Sequence, residues 1–156
     1  EISFHEWLGD SWGVLFSHPK DFTPVCTTEL GSLAKMKPDF DARNVKVIGL
    51  SVDPVSDHVK WLDDIKDVCG MKPSYPIIAD EKLEVAKLYN MLEGDAGTTS
   101  MGRTAVDNET VRTVYVIRPD KRIGLFLTYP IEKTLKNSMH HSQTLEMFVL
   151  TSLLVF

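Results

Sequence analysis

Hydrophobic positions along this chain change period in a regular way. Residues 1–10 carry Phe4, Trp7 and Leu8 at helical spacing, and residues 12–17 form an almost continuous apolar run that reads as a short buried strand. A loop punctuated by Pro19 and Pro24 follows. A helix is predicted to begin at or just after Pro24, with an amphipathic pattern over residues 27–43 set by Leu30, Leu33, Ala34, Met36 and Phe40. Pro38 lies inside that pattern and is expected to kink or interrupt the helix. Residues 45–52 are β-branched and nearly all apolar, as a central parallel strand buried on both faces would be.

Helical spacing returns over residues 56–68 through Val59, Trp61, Leu62 and Ile65, with Ser56 predicted as the N-cap. Residues 75–79 read as a short strand and 81–92 as a helix. The loop at 93–109 is rich in Gly, Thr, Asp and Asn, and its length marks it as a functional or mobile segment. Residues 111–117 and 123–129 read as two strands joined by a hairpin-type turn at 118–122. Residues 133–143 show no clear period. Residues 145–156 read as an apolar helix whose two sides both carry large side chains, which implies a partner surface or further sequence. The order predicts an α/β domain over residues 1–156: a mixed sheet flanked by helices, parallel first and ending in an antiparallel hairpin.

Composition narrows the function classes. A formal charge of −5 with no basic stripe argues against a nucleic-acid partner. No run of eighteen or more apolar residues suits a membrane span. The chain has two cysteines, Cys26 and Cys69, too few for a disulfide framework, which points to a reducing, cytoplasmic location. His140 and His141 lack the accompanying cysteine, histidine or carboxylate spacing of a metal site, so neither metal nor cofactor is expected. Arg103 and Arg122 read as solvated charges.

The chemistry concentrates at Cys26. A cysteine in the first turn of a helix meets unpaired N–H groups and the positive end of the macrodipole, which favour the thiolate, the reactive form. The competing reading is that a lone cysteine is a small buried hydrophobe. Cys69, at the end of a predicted helix, reads as a bystander.

The string Pro19-x-x-x-Thr23-x-x-Cys26 resembles the active-site signature of the peroxiredoxins, and the longer run from Phe16 to Leu30 is similar to their one-cysteine, peroxiredoxin 6-type subfamily. Gly49–Asp53, His58 with Trp61, Pro76–Asp80, Thr110-Val-Arg112 and Tyr129-Pro130 extend the resemblance over about residues 1 to 130. It implies a thioredoxin-like fold and thiol-dependent reduction of hydrogen peroxide and organic hydroperoxides. Cys26 would be the peroxidatic residue, and Thr23 would hydrogen-bond thiolate and peroxide. Arg112 would hold the thiolate and steady the leaving oxygen, Pro19 would shield the sulfenate, and His18 would orient or bind substrate. A one-cysteine cycle then needs an external thiol such as glutathione or thioredoxin, and the subfamily implies a homodimer. The resemblance also expects a Gly-Arg-Asn turn after Tyr129-Pro130, where this chain has Lys136, and a C-terminal dimerisation arm beyond Phe156; the chain reads as truncated at both ends.

Two other readings stand beside this one. The same scaffold could serve as a redox sensor or a chaperone-like assembly. Gly9-Asp-Ser11-Trp-Gly13 fits the Gly-x-Ser-x-Gly pattern, and the subfamily's association with phospholipase A2 activity points to Ser11, His5 and Asp120. A nucleophile elbow, however, runs strand, sharp turn, helix, and Ser11 precedes a strand.

Overall fold

The computed structural model describes residues 1–108 and 112–128. The expected features at 133–143 and 145–156, together with Thr110, Tyr129-Pro130, Lys136 and His140-His141, lie outside them.

Within the described residues the chain runs α1 (Phe4–Leu8), β1 (Trp12–Ser17), α2 (Pro24–Ala42), β2 (Val45–Ser51), α3 (Val55–Cys69), β3 (Ile77–Ala79), α4 (Glu84–Leu88), β4 (Thr113–Ile117) and β5 (Ile123–Thr128). The five strands make one mixed sheet in the order β3-β2-β1-β4-β5. β2 pairs in parallel with both β1 and β3, whereas β4 is antiparallel to β1 and to β5. β2 is thus the internal parallel strand that its uniform apolarity predicts.

Alternation along the strands feeds two cores. Val14 and Phe16 of β1, with Val45 and Val47 of β2, face α2 and α3 and meet Leu30, Leu33, Phe40, Trp61 and Ile65. Leu15, Ile48 and Leu50 point the other way, onto Leu8, Leu83, Ala86 and Met91. Gly49 leaves room for the Phe16 ring, since a methyl there would lie 3.1 Å from its tip. Gly31 does the same between α2 and α3, where a Cβ would stand 2.3 Å from Cys69 Sγ. Without those two hydrogens-for-side-chains, neither the ring nor the helix pair could approach so closely.

One expectation is narrowed and two are corrected. Pro38 does not interrupt α2, which is helical without a break from Pro24 to Ala42. It removes one ladder hydrogen bond, and buried Phe40 two residues later holds the last turn against the sheet. Ser56 is not the cap of α3; Pro54 occupies that position with extended backbone. The helix expected over 81–92 shrinks to five residues. Asp80 accepts hydrogen bonds from the amides of Glu84, Val85 and Ala86, at 2.9, 3.2 and 2.7 Å, and so sets the start late. Leu83, fully buried, takes φ +60° to reach the core ahead of the helix.

Candidate active site

α2 starts where sequence places it. Thr23 is the N-cap, with extended backbone (φ −92°, ψ 142°), and Pro24 occupies the first helical position, where its missing N–H costs nothing. Cys26 therefore falls in the first turn. Thr27 closes that turn, its amide donating to Thr23 O at 2.9 Å and its hydroxyl to the same oxygen at 2.8 Å. The Trp61 indole of α3 donates to Thr27 Oγ1 at 3.0 Å, and Cys69 Sγ lies 3.6 Å from Thr27 O. The thiol's helix is braced from behind by its neighbour.

Cys26 is 1% exposed, but it is not in a purely apolar pocket. Arg112, immediately before β4, brings Nη2 to 3.5 Å from Sγ, and its Nη1 donates to Glu29 Oε1 at 2.6 Å. Glu29 stands one turn after Cys26 on the same face of α2, so a single guanidinium spans the thiol and the carboxylate. Sequence reasoning missed Glu29. The available signal was its i+3 spacing from the cysteine, which puts the two side chains on one face.

The helix start was expected to lower the Cys26 pKa. Instead burial is the largest influence and pushes the thiol up to about 11. The Arg112 charge pulls it down, the Glu29 charge pushes it up, and the Thr23 hydroxyl and Lys20 amide pull it down. Helix-terminus stabilisation is worth at most about 2 kcal/mol, too little to offset removing a thiolate from water.

Glu29 is buried as well, and that burial raises its carboxyl to about 7 against the pull of Arg112. An acid whose folded value lies above its unfolded one holds its proton more tightly when folded. Its contribution to stability is therefore lost as pH rises from the ordinary carboxylate range towards 7. Glu29→Gln is expected to remove this slope. Measured by denaturant titration, its stability relative to wild type should grow by about 3 kcal/mol between pH 4.5 and 8; a pH-independent difference would contradict the assignment.

The other predicted residues take distinct places. Pro19 is buried, and its carbonyl accepts from Asn108 Nδ2 at 3.0 Å. His18, 1% exposed, is hydrogen-bonded through Nε2 to Asp21 Oδ1 at 2.7 Å and packs 5.0 Å from the Trp61 ring. Arg103 is not a solvated charge. It donates to Asn108 Oδ1, Ala96 O and Asp107 O at 2.6–2.7 Å, tying the long loop together, while Lys20 Nζ donates to its carbonyl at 3.0 Å.

Ser11, His5 and Asp120 form no catalytic set among the described residues. Ser11 donates to Asn44 Oδ1 at 2.8 Å, His5 is exposed, and Asp120 pairs with Arg118 at 3.0 Å. Ser11 sits in a helix–turn–strand passage, the reverse of an elbow.

His18, Asp21 and Asp53 offer ligand atoms within 4.8 Å of one another. His18 Nε2 and Asp21 Oδ1 stand at a hydrogen-bond distance of 2.7 Å, short of the roughly 3.3 Å between two ligands of one tetrahedral ion, and Asp53 Oδ2 already accepts from the Asp21 amide at 2.8 Å. The cluster is a hydrogen-bonded network.

Residues 1–125 match the AhpC/TSA family. The chain is 53% identical over 131 residues to the mitochondrial peroxiredoxin PRX1 of Saccharomyces cerevisiae, covering 83% of this chain and 49% of that protein. It is 47% identical over 151 residues to a 1-Cys peroxiredoxin of Dictyostelium discoideum, covering 97% of this chain and 58% of the relative. The chain thus spans about half the length of the relatives it matches. Among solved structures, one of the yeast mitochondrial 1-Cys peroxiredoxin, concerned with thiol resolution by glutathione and thioredoxin systems, superposes with a TM-score of 0.77 at 47% identity. It covers 97% of this chain and 70% of that one. The fold is thioredoxin-like.

Proposed function

The chain belongs to the AhpC/TSA family, and from that premise we propose that it is a thiol peroxidase that reduces hydrogen peroxide and organic hydroperoxides through Cys26. The carrying observation is Arg112 Nη2 at 3.5 Å from Cys26 Sγ, two residues 86 apart in sequence held together out of water.

Catalysis on this reading couples substrate entry to ionisation. Burial dominates the thiol's pKa, so a polar molecule entering beside Sγ removes the main obstacle to losing the proton. A peroxide seated against the Thr23 hydroxyl and the Arg112 guanidinium is such a molecule. Thr23 is the part-exposed member of the trio and marks the way in. Sulfur attacks the distal oxygen, the S–O bond forms as O–O breaks, and the proton given up by the thiol ends on the departing oxygen as water or alcohol. Arg112 opposes the negative charge that moves onto that oxygen. Pro19 walls the sulfenic acid from water, and His18 acts from the buried side of their shared loop rather than from solvent.

Two external thiols complete the cycle, releasing water, a disulfide and the Cys26 thiol. Glutathione and thioredoxin are the donors we favour, in line with the systems named for the yeast structure. Cys69 stays outside this cycle. Exposed Ile123, Leu125 and Phe126 on edge strand β5 support a homodimer, and the free cysteines support a reducing compartment such as the cytoplasm, although one relative is named as mitochondrial. Among the described residues no helix is long and apolar enough to cross a membrane.

The experiment is peroxide consumption with glutathione or thioredoxin and its reductase as electron donor. Sustained turnover with one donor disulfide formed per peroxide is expected. A single oxidation that stops would make the protein a sensor, and a Cys26–Cys69 disulfide in the mass spectrum would overturn the one-cysteine cycle.

A further inference from the structure

Phe22, the residue before the cap of α2, is held at φ +58°, a conformation that bulky side chains seldom adopt. Its own side chain does not account for this, being 48% exposed with its ring 6.3 Å from Trp61. The restraint lies one residue earlier. Asp21 is 2% exposed and is gripped through both side chain and main chain. Its carboxylate accepts from His18 Nε2 at 2.7 Å and from His58 Nδ1 at 2.5 Å. Its amide donates to Asp53 Oδ2 at 2.8 Å, an oxygen that also accepts from Ser51 Oγ at 2.5 Å.

These partners come from separate elements: His58 from α3, Ser51 and Asp53 from the end of β2, and His18 from the loop itself. Buried polar clusters of this kind contribute little net stability over a well-packed apolar core, but they define position closely. The geometry points to Asp21, His58 and Asp53 as a clamp that keeps Phe22 left-handed and thereby sets Thr23 and the first turn of α2, which carries Cys26. On the peroxidase reading, which this rests upon, all three are positioning residues: none of their side chains reaches the sulfur, and they act through the loop.

Charge fits that role. Burial works to raise the Asp21 carboxyl, but the hydrogen bonds from His18 and His58 outweigh it and hold it below the ordinary range. Burial likewise works to lower His58, and the Asp21 hydrogen bond and the charges of Asp21 and Asp53 outweigh it in the opposite sense. Carboxylate and imidazole thus reinforce each other at the point where the loop must not move.

The test uses His58→Leu, His58→Asn and Phe22→Gly combined with His58→Leu, with Asp53→Ala as a second way to release the Asp21 amide. Cys26 oxidation by hydrogen peroxide is followed by stopped-flow tryptophan fluorescence, and alkylation by iodoacetamide reads the loop without peroxide chemistry. His58→Leu and Asp53→Ala should slow oxidation by about 10- to 100-fold, the usual cost of a small misplacement. His58→Asn, which keeps an N–H at the Nδ1 position, should stay within about threefold. Adding Phe22→Gly to His58→Leu should recover about fivefold or more, because glycine takes φ +58° unaided. A residue that merely stabilised the fold would show no such rescue. Wild-type rates in folded His58→Leu and Asp53→Ala, or no recovery on adding glycine, overturn the clamp. If peroxide leaves wild-type Cys26 untouched while alkylation follows the same pattern of loss and rescue, the clamp is supported and the peroxidase reading falls.

Discussion

Cys26→Ser is expected to abolish peroxide consumption, by at least ~10³-fold, as removal of a nucleophile does elsewhere. Serine differs from cysteine by one buried atom, so the fold around a side chain only 1% exposed should survive and circular dichroism should be unchanged. The hydroxyl cannot substitute, because it is far less acidic than a thiol and its oxygen is a poor nucleophile when protonated. The thiol value of about 11 makes this a demanding test. Burial leaves little of it as thiolate at neutral pH before substrate arrives. Adding peroxide should therefore draw out ionisation: the pH profile of peroxide oxidation should lie well below that of alkylation by an uncharged, weakly hydrogen-bonding reagent. Superimposed profiles would remove the coupling between substrate entry and ionisation. Undiminished consumption in Cys26→Ser would remove the peroxidase itself.

The second large effect belongs to Arg112→Ala. Two losses occur together and can be separated. The sulfur loses the guanidinium at 3.5 Å, and with it the donor that meets charge on the breaking O–O bond; a single such donor is worth ~10²–10³ in rate. Glu29 loses the partner at 2.6 Å, and a buried carboxyl left alone costs about 3 kcal/mol of stability. Replacing Glu29 by Gln in the same chain removes the second loss without repairing the first. The double variant should regain most of its thermal stability and none of its rate, as stopped-flow oxidation beside thermal unfolding would reveal. Recovery of both would mean that Arg112 matters for folding alone.

The legible parts of this protein are those set by near neighbours. Period along the chain located β1, β2, α3 and the β4–β5 hairpin, because a strand or helix with one buried face repeats its apolar residues at a period that only backbone geometry dictates. The start of α2 was legible for the same reason: proline at the first helical position after an extended cap is a local preference. Hence Cys26 and Thr23 were placed correctly with respect to the helix. Of the misjudged ends, α3 is capped two residues early at Pro54, and the start of α4 yields to burial and to side-chain hydrogen bonding. Leu83 is drawn into the core and Asp80 turns its carboxylate onto three amides, and neither event leaves a mark in periodicity.

What the site is like inside was decided by tertiary structure. Sequence established that a cysteine opens a helix; packing decided that it is sealed from water, and burial then reversed the expected direction of its pKa. The pairing of Arg112 with Glu29 and Cys26 closes across more than 80 residues, through the order in which β4 returns beside β1. The grip on Asp21 likewise joins α3 and β2 beneath a loop that belongs to neither. Period and capping are sums over a few adjacent residues, whereas desolvation and charge pairing depend on which segments meet in space, and that is known only once the chain has closed on itself.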